Sequence, residues 1–408
     1  MPMVSKKPAA GVTTGMPTCV TTPLEKCTTC GGALSYHHTV EAKCHDLIGT
    51  TNIQHKIKQC CRRQCRVFYG HNYACTSFGG EKKNTVRLNR LGAPVLFINN
   101  SRCFSLRYLQ YQEALMFRGY LSSRSAAWAH KEVFGSADTV VKFHQQLQNA
   151  VFLYMAMREF EQTDLHLDIV LEREINHTSL KKYHEHCHRK VYPPSDPMAV
   201  RELVGDGHAK VAMKCEGGAK KRVGRPRKSG KPRVHNHGWF MLVDPQSKHI
   251  VGVEPQRDPE NNAIVISGLK RALPIYPRCN GFVLDRACKF DKEARQTPAL
   301  SQLKHIAVDK WHQKSHNRRC KNSPKNVPAL KRRFARVNTS IAEQTFSWFR
   351  GYTRLFNSMR AHRHHFAVLL FSRKHNALMD DGNFDHLNAF KPSLKKSRTS
   401  SSYECNRK

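Results

Sequence analysis

The chain has 408 residues, 39% of them hydrophobic, enough for two or three domains with cores of their own and too many for a wholly disordered protein. Lys and Arg number 68 against 31 acidic residues, a formal charge of +37 before any of the 24 histidines is protonated. Such a field attracts polyanions, and no apolar run approaches the roughly 18 residues of a membrane span, so nucleic acid and not a membrane is the expected partner.

The opening MPMVSKKPAAGVTTGMPTCV lacks the apolar stretch of a secretory signal, so a reducing compartment is expected. The 15 cysteines there imply metal ligation rather than disulfides. Residues 1–18 and 392–408 are rich in Lys, Ser, Thr or Pro and are expected to be disordered tails. Between them the composition divides the chain into a cysteine cluster (19–80), a helical region (85–190) and a mixed α/β segment (198–380).

Eight cysteines fall in the first 80 residues. Cys27-Thr28-Thr29-Cys30-Gly31 and Cys61-Arg62-Arg63-Gln64-Cys65 have the spacing of two knuckles closing one tetrahedral Zn²⁺ site, a zinc-ribbon-like domain. Cys60 is an alternative to Cys61, and Cys44 or His45 compete. A segment with so few large apolar residues needs such a staple.

In the next region SLRYLQYQEALMFRGYL and TVVKFHQQLQNAVFLYMAMREF repeat apolar residues three and four apart, the period of helices. Between them Ser122-Ser123 precedes SAAWAHKEVFG, a capped short helix that fits either a helix-turn-helix reader of DNA or simple packing.

From residue 198 the period changes. RELVGDGHAKVAM, GWFMLVDP and HIVGVEPQ predict three strands in a meander, NNAIVISGLKRALP a helix capped by Asn, and GFVLD a short buried strand. A further helix, the strand LKHIAVD and a long helical region from Asn338 follow. That order is the order of a ribonuclease-H-like α/β fold.

Asp206 interrupts the apolar first strand, Asp285 ends the run Phe282-Val283-Leu284, and Glu343 lies in the helical region after the fifth strand. Two Mg²⁺ or Mn²⁺ ions that neutralise both oxygens of a phosphoryl transfer need hard carboxylate ligands of this kind. Asp244, Glu254 and Asp309 fall in turns or strand ends without that placement. Taken singly, each aspartate is equally a turn residue or helix cap.

Asp285-Arg286-Ala287-Cys288, VDKWHQKSHNRRC and above all NTSIAEQTFSWFRGYTRLFNSMRAHRHHFAVLLFSRKHN resemble the catalytic region of KDZ (Kyakuja–Dileera–Zisupton) transposases over about residues 198–378. The resemblance implies a cut-and-paste enzyme that nicks DNA and transfers the freed 3′ end, with Asp206, Asp285 and Glu343 as its acids. It implies DNA partners at element ends and target, and a homo-oligomer assembled on them. Residues 19–80, with the tail Phe68-Tyr69-Gly70-His71-Asn72-Tyr73, resemble the cysteine-cluster domains associated with these transposases.

His312, His316 and Cys320 recur at four-residue spacing and, with Cys288, compose a possible second zinc site. Between the first two strands, ten Lys or Arg against Glu216 fill Lys210 to Arg233, and the loop 215–234 centres on Gly224-Arg225-Pro226-Arg227-Lys228, which resembles an AT-hook. A nuclear-import signal explains the same residues and places the protein in the nucleus. Arg222, Arg225, Arg227 and Lys228 there, with Arg350 and Arg354 beyond Glu343, are the expected phosphate contacts. The rival readings are an inactive zinc-binding chromatin or transcription protein derived from a transposase, and a nuclease that cuts without joining.

Overall fold

The computed structural model describes residues 16–78, 81–86, 94–135, 140–162, 169–172, 174–175, 196–208, 238–256, 261–317, 319–356, 359 and 361–381. The basic loop with Arg222, Arg225, Arg227 and Lys228 lies outside the described residues, as do the tails apart from residues 16–18. The architecture is mixed α/β, with two sheets and helices packed on them.

The first sheet contains β1 (Cys19–Thr21), β2 (Leu34–Asp46), β3 (Gly49–Cys60), β4 (Phe68–Tyr69), β5 (Tyr73–Phe78), β6 (Glu81–Val86), β7 (Val95–Asn99), β8 (Arg102–Ser105), β9 (Ile169–Glu172) and β10 (Glu174–Ile175). Its order is β10-β9-β6-β5-β4-β3-β2-β8-β7, with β1 beside β3. In β3 the alternation Ile53, His55, Ile57 turns one face inward and leaves Gln54, Lys56 and Lys58 outside, the period-2 pattern of a half-buried strand.

Here the structure differs from the expected division at residue 80. The β7–β8 hairpin pairs with β2, and β9 returns to pair with β6, so the cysteine-rich segment is part of a larger sheet and not a self-contained ribbon. The region expected to be helical therefore also holds the strands β7 to β10. Their backbone groups take hydrogen-bond partners far away in the chain, which local periodicity does not report.

Helices α1 (Leu106–Gly119), α2 (Ser123–Phe134) and α3 (Val140–Gln162) cover this sheet. Ser105 and Ser122 cap the first two, each accepting from the N–H three residues on. Residues 150–157 of α3 are buried without interruption, as befits a helix with packing on all sides. In α2, His130 is buried against the rings of His45, Tyr108 and Phe143, so its inner face serves packing.

The second sheet holds β11 (Glu202–His208), β12 (Gly238–Val243), β13 (Ile250–Gln256), β14 (Gly281–Val283) and β15 (His305–Ala307) in the order β13-β12-β11-β14-β15. The first three form an antiparallel meander, while β14 and β15 run parallel to β11. α4 (Asn262–Ala272), capped by Asn261, connects β13 to β14, and α5 (Ala287–Arg295) connects β14 to β15. The long helical region from Asn338 is three helices, α7 (Ile341–Arg350), α8 (Thr353–Phe356) and α9 (Ala361–Asp380), preceded by the short α6 (Pro328–Arg333).

The two faces of this sheet belong to different cores. Leu203, Phe240, Leu242, Phe282 and Ile306 pack with α4 and α5. Val204, Trp239, Met241, Val243, Val283 and Ala307 join α7, α9 and the helices of the first sheet in one continuous core. Gly205 is needed beside Asp206, because a Cβ there would lie 2.7 Å from Phe240 and 2.9 Å from Phe282.

Both sheets close an edge with an asparagine that imitates a strand. Asn72 accepts from Phe97 N–H at 2.9 Å and donates to its carbonyl at 3.1 Å on edge strand β7. Asn376 of α9 does the same to Ile250 on edge strand β13, at 2.8 and 2.9 Å. Each clamp satisfies backbone groups that would otherwise be buried unpaired or free to recruit another strand.

Buried histidines make this fold acid-sensitive. His364 accepts from Trp239 Nε1–H at 2.7 Å and meets Phe356 O through Nδ1 at 3.1 Å; His55 accepts from His71 N–H at 3.1 Å. Burial lowers His55, His364 and His375 from the usual 6.5 to about 4. With the folded values depressed, the unfolded chain binds more protons between pH 6.5 and 4, so stability falls as the pH drops through that window. Each contributes up to about 3 kcal/mol once the pH is below 4. Urea midpoints at pH 7, 5.5 and 4.5 should decline in that order; a flat series would show these rings to be solvated.

Candidate functional site

Val204, Val283 and Ala307 are direct neighbours across β11, β14 and β15 and face the same core. Side chains in a strand return to the same face every second residue, and that alternation, continued two residues past the ends of β14 and β15, puts Asp285 and Asp309 in the next row with Asp206 of β11. Leu284 N–H still bonds Ala307 O at 3.0 Å, which keeps the backbone extended up to Asp285. Helix α7 packs over β11 and β12. His208 stacks on Phe346 with centroids 4.5 Å apart. His208 shares a face with Asp206 and Phe346 shares a helix face with Glu343, so this contact turns Glu343 toward the acid row.

Asp206 and Glu343 are half-buried, and Asp206 Oδ1 accepts from Gly207 N–H at 2.8 Å. Asp285 Oδ1 is buried with no hydrogen-bond partner among the described residues. Burial, reinforced by the nearby Asp309 carboxylate, holds the Asp285 carboxyl above the usual range against the opposing pull of His312 and Arg286. His312 is raised: burial opposes its charge, but the bond to Asp309 and the carboxylates of Asp309, Asp285 and Glu343 favour it. Asp285, Asp309 and Glu343 therefore lie within electrostatic reach of one imidazole. Among the described residues their oxygens do not all fall within 4.8 Å of one another as the cysteine ligands below do. Carboxylates without a cation repel, and a two-metal site spreads its ligands over ions about 3.5–4 Å apart. The donor set, hard oxygens with one buried and unpaired, fits Mg²⁺ or Mn²⁺.

The sequence puts Asp309 in a turn or at a strand end without the placement of Asp206 and Asp285, whereas in the structure its carboxylate lies near Asp285 and His312. Its Oδ1 accepts from Trp311 N–H at 2.7 Å and His312 N–H at 3.1 Å, and its Oδ2 lies 2.6 Å from His312 Nδ1. The signal was present in LKHIAVD, where Asp309 follows Ala307 by the same two residues that separate Asp285 from Val283. Arg350 is exposed on α7 two turns beyond Glu343 and on nearly the same side; the backbone of Arg354 lies in α8.

The thiols of Cys27, Cys30, Cys60 and Cys65 converge on one point. Cys27 Sγ is 3.5 Å from Cys65 Sγ, and Cys30 Sγ is 3.4 Å from Cys60 Sγ, near the roughly 3.8 Å edge of a tetrahedron with Zn–S bonds of about 2.3 Å. The fourth thiol of the set is thus Cys60 and not Cys61, which is exposed. Cys60, the last residue of β3, is buried in a small cluster with Cys27, Val67 and Tyr69, whereas Cys61, just past the strand, is exposed. Gly31, at φ +71°, makes the first knuckle possible, and Cys27 N–H reaches Gly32 O at 2.7 Å.

Tyr69, buried behind this cluster, accepts from Thr28 N–H at 3.0 Å and lies 3.1 Å from Cys27 Sγ. Burial opposes ionisation of Cys27, but the Tyr69 hydroxyl and the amides of Cys30 and Thr29 outweigh it and bring the thiol to about 6. Burial and its three cysteine neighbours push the Cys65 thiol up. The set fits Zn²⁺.

Of the four residues expected in the second zinc site, Cys288, His316 and Cys320 come together and His312 does not. Residues 312–315 form a short, tightly wound turn, and His316 leaves it in extended conformation, so four-residue spacing no longer means one face. No protein-family model and no curated protein matches the chain.

Proposed function

We propose that this protein is a DNA-cutting and DNA-joining enzyme of the transposase type, its second sheet a ribonuclease-H-like core with Asp206, Asp285 and Glu343 as ligands for Mg²⁺ or Mn²⁺. The observation that carries this reading is the acid row at the carboxyl ends of adjacent parallel strands, with Glu343 on the helix laid across β11. The order 3-2-1-4-5, counted along this sheet, supports the fold assignment. Asp206, Asp285 and Glu343 would hold the metals, which would supply charge neutralisation on the attacking and leaving oxygens of a phosphodiester. The carboxylates hold that charge in place, Asp309 orients His312, and Arg350 with Arg354 meets the flanking phosphates. Trp311, 72% exposed in the Asp309 turn, offers a ring for stacking on an unpaired base.

The excess of 37 positive charges supports DNA as the partner. Among the described residues no helix is long and apolar enough to cross a membrane. A homo-oligomer on DNA in the nucleus completes the proposal.

Its test is incubation of the purified chain with element-end DNA and Mn²⁺, scoring nicks and joined products. Nicks without joined products would favour a simple nuclease; DNA binding with neither would favour the inactive chromatin protein. Affinity for duplex DNA should fall steeply with salt, with a log-log slope of about −0.9 per neutralised phosphate. Replacing Arg225 and Arg227 with Gln should weaken binding and flatten that slope by about 1 to 2. An affinity indifferent to salt between 50 and 200 mM, a range of roughly fourfold, would remove the nucleic-acid reading.

A further inference from the structure

We infer that Cys288, His316 and Cys320 bind a second transition-metal ion of the zinc class, which ties the turn carrying Asp285 to the loop after β15. Their ligand atoms lie within 4.8 Å of one another. His316 Nδ1 is 3.6 Å from Cys288 Sγ and 3.7 Å from Cys320 Sγ. A tetrahedral ion with bonds of about 2.3 Å to sulfur and about 2.05 Å to nitrogen needs that edge to be about 3.6 Å.

The tautomer is fixed independently. His316 Nε2 lies 2.9 Å from the Asp285 carbonyl, which can only accept, so Nε2 carries the hydrogen and Nδ1 presents its lone pair to the two thiols. An imidazole that binds metal through one nitrogen and donates the other N–H to a backbone carbonyl is the arrangement that orients metal-bound histidine.

The loop is anchored without the metal. Asn322 donates to Ile306 O at 3.0 Å and accepts Val308 N–H through its carbonyl at 2.8 Å, while Asn326 donates to Cys320 O at 3.2 Å. Cys288, by contrast, is exposed in the first turn of α5 and has no packing role. An ion joining it to His316 and Cys320 would bridge an anchored loop to the residues that immediately follow Asp285. Two thiolates and an imidazole select zinc-like ions, whereas the acid row selects Mg²⁺ or Mn²⁺, so the two kinds of site do not compete. The metal set stands on its own geometry; its consequence for Asp285 rests on the acid-site reading.

Metal content of the full chain, purified without DNA, tests it. We expect about two zinc ions in the parent and in Cys61→Ser, and about one in Cys288→Ser and in Cys320→Ser. Since Cys288 is exposed, its serine variant should keep the parent's circular dichroism. In the cobalt-substituted protein the same changes should remove the spectrum of the two-thiolate site and leave that of the four-thiolate site. Mn²⁺ affinity at the carboxylates, followed by electron paramagnetic resonance, should weaken about tenfold in Cys288→Ser. One zinc in the parent, or two in Cys320→Ser, overturns the site; unchanged Mn²⁺ affinity in Cys288→Ser overturns the brace. Absence of Mn²⁺ binding in the parent would sink the acid-site reading while leaving the zinc count intact.

Discussion

If the proposed function holds, Glu343→Ala and Asp285→Asn should each slow DNA nicking and joining by roughly 10³-fold or more, about 4 kcal/mol of barrier, because a site of that kind would act by electrostatic stabilisation fixed in place beforehand. The two changes differ in a useful way. Asp285 is half-buried with one buried, unpaired oxygen, so Asn in its place relieves a desolvated acid and should leave the melting temperature of the metal-free protein no lower than the parent's. Loss of activity with stability retained separates a chemical role from a structural one.

Asp244 supplies the opposite control. Its oxygens accept from Gln246 N–H at 3.2 Å and Ser247 N–H at 3.0 Å in the β12–β13 turn. Asp244→Ala should lower stability by about 1–3 kcal/mol and leave the rate of the folded protein intact. Asp309→Ala should reduce the rate partially, because it frees His312. The decisive measurement is nicking of supercoiled DNA in Mn²⁺ by purified Glu343→Ala: a rate equal to the parent's removes the catalytic assignment.

Removing zinc from the four-cysteine site should unfold its two knuckles and spare the rest of the first sheet. Structural zinc contributes on the order of 10 kcal/mol to small domains that have no other core. Here the cluster is a small satellite of Cys27, Cys60, Val67, Tyr69 and Ala74, while Ala42, Cys44 and Ile53 of the same sheet belong to the large core shared with α3 and α9. Chelation should therefore abolish hydrogen-exchange protection at Cys27, Leu34 and Cys60, whose amides bond Gly32, Glu25 and Val67, and preserve it along the far half of β2 and β3. Cys60→Ser should release that ion and Cys61→Ser should retain it. Global unfolding on chelation, or zinc loss in Cys61→Ser alone, would contradict this placement.

The sequence by itself determined what local rules encode. Apolar runs between turn residues marked β11 to β15, Asn261 and Ser122 marked helix starts, and the Cys27-x-x-Cys30-Gly31 knuckle announced a thiolate site, because each depends on residues a few positions apart. Asp206 and Asp285 stood out as candidates for the same reason, as charges within or just past an apolar strand. What only the tertiary structure decided was partnership across distance. Strand pairing carried the first sheet past residue 80 into β7–β10, since ladder hydrogen bonds ignore separation along the chain. The burial of one side chain in the cysteine cluster chose Cys60 over Cys61. The alignment of three parallel strands brought Asp309 into the acid row, and a tight turn gave His312 to that row and His316 to the cysteines, because register and backbone winding, not spacing, determine which side chains meet.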